Sequence, residues 1–179
     1  YADSYRFSWV KYRVDAPSFG NDYLLQVDFN PSRMVNMFWR LRYEEKQENL
    51  SQDTSIMSFV VPLKKASLRY QLNYAVGNFS FRTVLEGNLA QKSEEANWAY
   101  GLTAYQDLSY EFRSFPLRLD FRYQFFDATS YENRVYAYEK DVLYAFSIPM
   151  NYGLGSRYYL NLRYKFNHQL SCWLKFAQT

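Results

Sequence analysis

The side chains best equipped for chemistry are cationic, and they recur at every second position. Arg40 and Arg42, Arg69, Arg82, Arg118 and Arg122, Arg163 and Lys165, and finally Lys175 fall on the polar side of alternating stretches. Residues two apart on an extended strand share a face. A face of guanidinium and ammonium groups could select anions at a constriction, or it could form ion pairs that fill an enclosed space. Acidic residues Asp28, Glu44, Glu86 and Asp120 are interleaved among the cations, so mutual pairing is the expected role. Asp120 sits between Arg118 and Arg122, where a salt-bridged triplet is expected. The candidate charge cluster is thus Arg40, Arg42, Arg69, Arg82, Arg118, Asp120, Arg122, Arg163 and Lys165.

Other chemistries are poorly supplied. The single histidine, His168, falls in a short turn, a poor place for a general base that must be held beside a nucleophile. One cysteine, Cys172, cannot form an internal disulfide or a cysteine-rich metal site. Glu86 and Asp120 are the only acidic pair that suggests itself for acid–base work, and nothing in their spacing requires them to meet. No catalytic residue, metal ligand or cofactor is expected. A net charge of +3, from 21 basic and 18 acidic residues, is too small to point to nucleic acid.

The elements that must position these side chains are strands. Over Met34 to Glu44, Val35, Met37, Trp39, Leu41 and Tyr43 oppose Asn36, Phe38, Arg40, Arg42 and Glu44. Ser67 to Tyr74, Leu117 to Phe125 and Arg157 to Phe166 alternate as strictly, with no charge on the apolar side. Weaker strands are expected over Tyr5 to Val14, Tyr23 to Asn30, Phe79 to Glu86, Trp98 to Tyr110, Tyr131 to Glu139, Val142 to Ile148 and Leu170 to Phe176. Short turns (Asn30 to Arg33, Ala75 to Asn78, Glu111 to Phe115, Glu139 to Asp141, Asn167 to Gln169) alternate with longer polar links such as Glu45 to Lys65 and Gly87 to Asn97.

An aromatic content of 21% with a mean hydropathy of −0.49 suits strands with one apolar and one polar face. No apolar run approaches the roughly 18 residues of a transmembrane helix. The expected fold is all-β, a transmembrane antiparallel β-barrel of the outer-membrane type with about eleven strands. A soluble β-sandwich, whose apolar side would face a core, is the competing architecture. In the barrel the charge cluster faces the lumen, Cys172 faces lipid, and Trp9, Trp39 and Trp98 form interfacial girdles. Lumen-side substitutions at Gln124 or Asn161 are expected to be mild. Tyr1 to Tyr5 is not a signal peptide, and Phe176 to Thr179 lacks the terminal aromatic usual in bacterial barrels. Residues 1–179 are therefore expected to be one domain from a larger barrel, without its upstream region and final strand.

Tyr136 to Ser147, Gly155 to Tyr164 and Trp173 to Thr179, with Tyr105-Gln106-Asp107 and Ser114 to Leu117, carry a family resemblance. They resemble the C-terminal barrel portion of Bacteroidota helix-hairpin-helix (ComEA-like) domain-containing proteins. The resemblance implies an outer-membrane location, an upstream helix-hairpin-helix segment and a strand beyond Thr179. That motif contacts nucleic-acid backbones, but this chain does not contain it, so no DNA-binding residue carries over. The expected role is a non-enzymatic scaffold or subunit of an envelope complex, or a plugged pore. The alternative is a transport channel for solutes or DNA. The expected partners are outer-membrane lipids and other envelope proteins.

Overall fold

The alternating stretches form one long antiparallel sheet. In the computed structural model, which describes residues 1–10, 12, 14–50, 59–93 and 97–179, nine strands pair in the order β1-β2-β3-β4-β5-β6-β7-β10-β11. They are β1 (Ala2–Phe7), β2 (Ser18–Ser32), β3 (Val35–Asn49), β4 (Val60–Val76), β5 (Phe79–Lys92), β6 (Ala99–Glu111), β7 (Leu117–Ala128), β10 (Gly153–Lys165) and β11 (Ser171–Gln178). Two short strands, β8 (Val135–Tyr136) and β9 (Met150–Asn151), pair only with each other.

Turn chemistry fixes the register. Between β4 and β5, Gly77 has φ +58° and stands at the first central position of a two-residue turn, where a type II′ hairpin needs glycine. Between β10 and β11 the Asn167 side-chain oxygen accepts the N–H groups of Gln169 (2.8 Å) and Leu170 (2.7 Å), an Asx turn. Leu25, Leu41, Leu68, Gly87 and Leu102 then stand opposite one another across the outer row. Gln26, Arg40, Arg69, Glu86 and Thr103 form the adjacent inner row.

Three expectations are corrected. Tyr131 to Glu139 and Val142 to Ile148 are not sheet strands, and Glu139 to Asp141 is not an edge turn. Residues 129–152 form a single connection that folds back over the polar face, so β7 pairs directly with β10. Within it lie a 3-10 turn (Tyr131–Asn133), the β8–β9 pair and an isolated bridge from Glu139 to Ser147. The physical reason is charge: Glu139, Lys140 and Asp141 find buried counter-charges on the sheet and would find none on an apolar outer surface.

The first strand also ends at Phe7, short of the expected Val14; Lys11 and Arg13 lie outside the described residues. Conversely, β3, β4 and β5 run into the polar stretches expected as links, reaching Asn49, Val60 and Lys92. Charge pairs accompany the extension, Lys46–Glu48 along β3 (3.0 Å) and Lys92–Glu48 between β5 and β3 (3.9 Å). Of the Glu45 to Lys65 and Gly87 to Asn97 links, residues 51–58 and 94–96 lie outside the described residues, Gln52 among them.

The back-folded connection seats on small residues. A Cβ on Gly101 would stand 2.8 Å from the Asn133 backbone oxygen and would also strike Asn88 Oδ1, whereas one on Gly87 would meet nothing within 4 Å. Gly101→Ala is expected to lower stability by about 1–3 kcal/mol, the usual range for overpacking. Gly87→Ala should stay within about 0.5 kcal/mol. Urea midpoints of the two variants measure the difference, and equal midpoints would show that Asn133 does not pack on β6.

Candidate functional site

The charged side chains converge on the inner face of β5, β6, β7, β10 and β11, beneath the back-folded connection. Arg122 is its centre and is 1% exposed. It stands directly opposite Asp107 in the β6–β7 register. Its Nε donates to Asp107 Oδ1 and its Nη2 to Asp107 Oδ2 (2.8 Å), a bidentate fork. Its Nη1 donates to the Tyr138 carbonyl of the connection (2.8 Å). The guanidinium also lies 4.0 Å from the Tyr105 ring centroid and 5.4 Å from that of Tyr159. The expected Arg118–Asp120–Arg122 triplet is therefore split. Arg122 reaches across the ladder, because the acid opposite lies closer than the one two residues along its own strand.

Asp120 pairs with Arg118 (3.3 Å) and with Lys140 of the connection (2.6 Å), and it accepts from Ser109 Oγ (2.5 Å). A second cluster surrounds Glu139, whose side chain is fully buried. Arg157 approaches it at 2.6 Å and Lys175 at 3.0 Å; Lys175 also reaches Asp141 at 2.9 Å. Ala137 of the connection packs with Val84 and Tyr105 of the sheet in an apolar cluster. Gln124 and Asn161 are buried here, with their side-chain oxygens unpartnered. The expectation that substitutions at these two positions would be mild does not fit this packing.

The remaining predicted residues share the inner face, and of them Arg69 and Arg82 touch the edge of the Arg122 cluster through Tyr105 and Asp107. Arg40 donates to Gln26 Oε1 (2.8 and 2.6 Å), Arg42 forks onto Asp22 (2.9 and 2.6 Å), and Arg69 meets Glu86 (3.3 Å) and the Tyr105 hydroxyl (2.9 Å). Arg82 donates to Asn73 (3.3 Å) and lies 3.8 Å from Asp107. Arg163 faces Arg118 across the ladder, its Nε buried without a partner and its guanidinium 5.7 Å from the Trp173 ring. Lys165 is exposed at the short-turn end, away from the clusters. Glu86 and Asp120 lie in different rows and do not meet.

Asp107, Glu139, Lys140, Asp141 and Arg157 are absent from the sequence-derived cluster, although Glu139 and Asp107 are more deeply buried than its one carboxylate, Asp120. Asp107 could have been found by aligning β6 with β7. Arg157 stands on the polar side of the Arg157 to Phe166 alternation, whereas Glu139, Lys140 and Asp141 become visible only once the Tyr138 region leaves the sheet. The arrangement is built to neutralise and fill. Among the described residues, no group of three or more His, Cys, Asp and Glu side chains could hold a metal ion. His168 and Cys172 are both exposed, one in the β10–β11 turn and the other on the outer face. No family model, no curated protein and no solved structure matches the chain.

Burial alone would raise the Glu139 carboxyl, but hydrogen bonds from Arg157 and Lys175 outweigh it and hold the group below its ordinary range. Asp141 is likewise raised by burial and lowered further by Lys175 and the Val142 N–H, with a net fall. A depressed folded pKa contributes stability that is complete above the ordinary carboxylate range and is lost as pH falls through the folded value. The Glu139 amide, which donates to the Ser147 carbonyl at 3.0 Å, reports on the connection. Its hydrogen-exchange protection should be level from about pH 8 to pH 5 and fall below about pH 4. Glu139→Ala should lower protection already at neutral pH, by about 3 kcal/mol, the low end for breaking a buried pair. Protection independent of both changes would detach the connection from this cluster.

Proposed function

We propose that this chain is the wall of a non-enzymatic integral outer-membrane β-barrel, plugged from within by residues 129–152, that serves as a scaffold or subunit of a bacterial envelope complex. The carrying observation is an inverted distribution of polarity. Leu25, Leu41 and Leu68 are 62%, 52% and 56% exposed on one face, while Asp107, Asp120 and Arg122 are 3%, 7% and 1% exposed on the other. A water-soluble sheet buries the first kind and exposes the second.

Aromatic pairs bound the apolar face at both ends. Tyr23 and Tyr43 stack at 6.4 Å towards the long-connection end; Phe79, Tyr110 and Phe112 cluster at 4.4 and 4.6 Å at the short-turn end. From Tyr43 to Val35 along β3 the face covers about 27 Å at 3.4 Å per residue. At a tilt of about 40° that corresponds to a height of about 21 Å, against roughly 25 Å for the apolar band of an outer-membrane barrel. No helix among the described residues is long and apolar enough to cross a membrane, so any crossing belongs to strands. Edge strands β1 and β11 run in the same direction, so closing this sheet into an antiparallel barrel asks for an odd number of further strands between them. The resemblance to the Bacteroidota helix-hairpin-helix proteins supports the same location.

Leu41→Arg and Leu68→Arg test the placement. On a face in lipid each should cost about 2–4 kcal/mol in urea titrations of protein folded into liposomes. On a face in water such exposed changes would stay within about 0.5 kcal/mol and the membrane reading would fail.

A second reading, a channel for solutes, is favoured by one observation. The connection lies over β5 to β11, while Gln26 and Asp28 on the inner face of β2 stay exposed. The plugged reading expects little or no steady conductance from the purified protein in a planar bilayer. Large stable steps would promote the channel.

A further inference from the structure

The long-connection end carries a cavity of about 470 Å³ between β3, β4, β5 and the Tyr131–Arg134 turn. It lies beyond the aromatic row of Tyr23 and Tyr43, where both faces of β3 become polar. Four cations line it, Lys46, Lys65, Lys92 and Arg134, against two carboxylates, Glu48 and Glu132. Glu48 is shared between Lys46 (3.0 Å) and Lys92 (3.9 Å). Lys65 and Arg134 have no carboxylate within 4.0 Å among the described residues, and they approach the cavity from opposite walls. Lys65 lies in the positive fields of Lys46 and Arg134, offset in part by the carboxylates of Glu44 and Glu48. Like charges gathered in a half-buried concavity raise its affinity for an anion.

Arg134 is held in place before any ligand arrives. Its Nε donates to the Tyr136 hydroxyl (2.6 Å) and its Nη1 to the Tyr131 carbonyl (2.6 Å). The guanidinium lies 4.0 Å from the Tyr131 ring centroid and 5.5 Å from that of Tyr136. Its Nη2 makes no hydrogen bond among the described residues and remains free to donate. A guanidinium fixed in this way is suited to a planar oxyanion such as a carboxylate. The remaining lining combines tyrosines and side-chain amides (Tyr5, Tyr12, Tyr131, Gln47 and Asn49) with the aliphatic Val14 and Leu63. Aromatic faces with amide donors and acceptors suit the apolar faces and hydroxyls of a sugar ring. The volume lies within the range of small-ligand sites.

We propose that this cavity binds an acidic saccharide, with its carboxylate between Lys65 and Arg134 and its ring against Tyr131. The site rests on the chain's own geometry and is the same whether the apolar face lies in lipid or not.

Isothermal titration of the full chain in detergent micelles tests it, with digalacturonate as the probe, and maltose and inorganic phosphate as controls. Digalacturonate should bind at least tenfold more tightly than either control. Lys65→Met and Arg134→Gln should each weaken it at least tenfold, while Lys65→Arg stays within about threefold, all with unchanged circular dichroism. If one neutralised variant fails to fold, the other decides, together with Lys65→Arg. Absence of digalacturonate binding overturns the proposal. So does maltose binding as tightly, phosphate binding as tightly, or full affinity in the neutralised variants. None of these outcomes bears on the membrane placement, which the Leu41 and Leu68 variants decide.

Discussion

A guanidinium that is 1% exposed must have its charge and its donors met inside the protein, and Arg122 meets that demand from three directions at once. Asp107 on the neighbouring strand supplies the counter-charge, Tyr105 and Tyr159 supply ring faces, and the Tyr138 carbonyl supplies the last acceptor. The first three come with the sheet register. The carbonyl comes only if residues 129–152 lie across the sheet. Arg122 thereby couples the ladder to the connection that covers it. With the connection peeled away, Arg122 would lose an acceptor, Asp120 would lose Lys140, and Arg157 and Lys175 would lose Glu139.

The same coupling explains what was legible in the sequence. Period-two alternation places a side chain on a face with no knowledge of its partners, and Met34 to Glu44, Ser67 to Tyr74, Leu117 to Phe125 and Arg157 to Phe166 lie in sheet strands with the expected alternation, apart from the end residues Met34 and Phe166. Every predicted cation accordingly lies on one face. Partner choice is another matter, because it depends on register and on chain far away in sequence. Arg122 chose Asp107 over Asp120 through a cross-strand alignment that the alternation does not specify. Tyr131 to Glu139 alternates as well as some true strands do. Its acids and lysine were the overlooked signal: Glu139, Lys140 and Asp141 are hard to place on an apolar surface and easy to place beside Arg157, Asp120 and Lys175.

The clusters argue against an acid–base site as well. A catalytic carboxyl works when its environment shifts it towards the operating pH. Glu139 and Asp141 are shifted the other way by their cations, and each oxygen pair is already occupied by donors. Such groups hold structure together. The Glu139 pair is therefore best understood as the latch that holds the connection on the sheet, and the burial of Gln124 and Asn161 follows from the latch being closed.

The connection also divides the inner face by charge state. Over β5 to β11 its own acids and lysine complete the pairing, leaving Arg163 as the poorly matched cation near the short turns. At the opposite end it contributes Arg134, for which no carboxylate lies within 4.0 Å among the described residues, beside Lys65, which stands in the same position. Unmatched charge at a rim costs far less than unmatched charge in the interior, because water reaches it. The interior must neutralise itself for the sheet to fold. The long-connection end is free to keep a surplus that an outside anion can answer, and it is there, not beneath the connection, that the proposed ligand site lies.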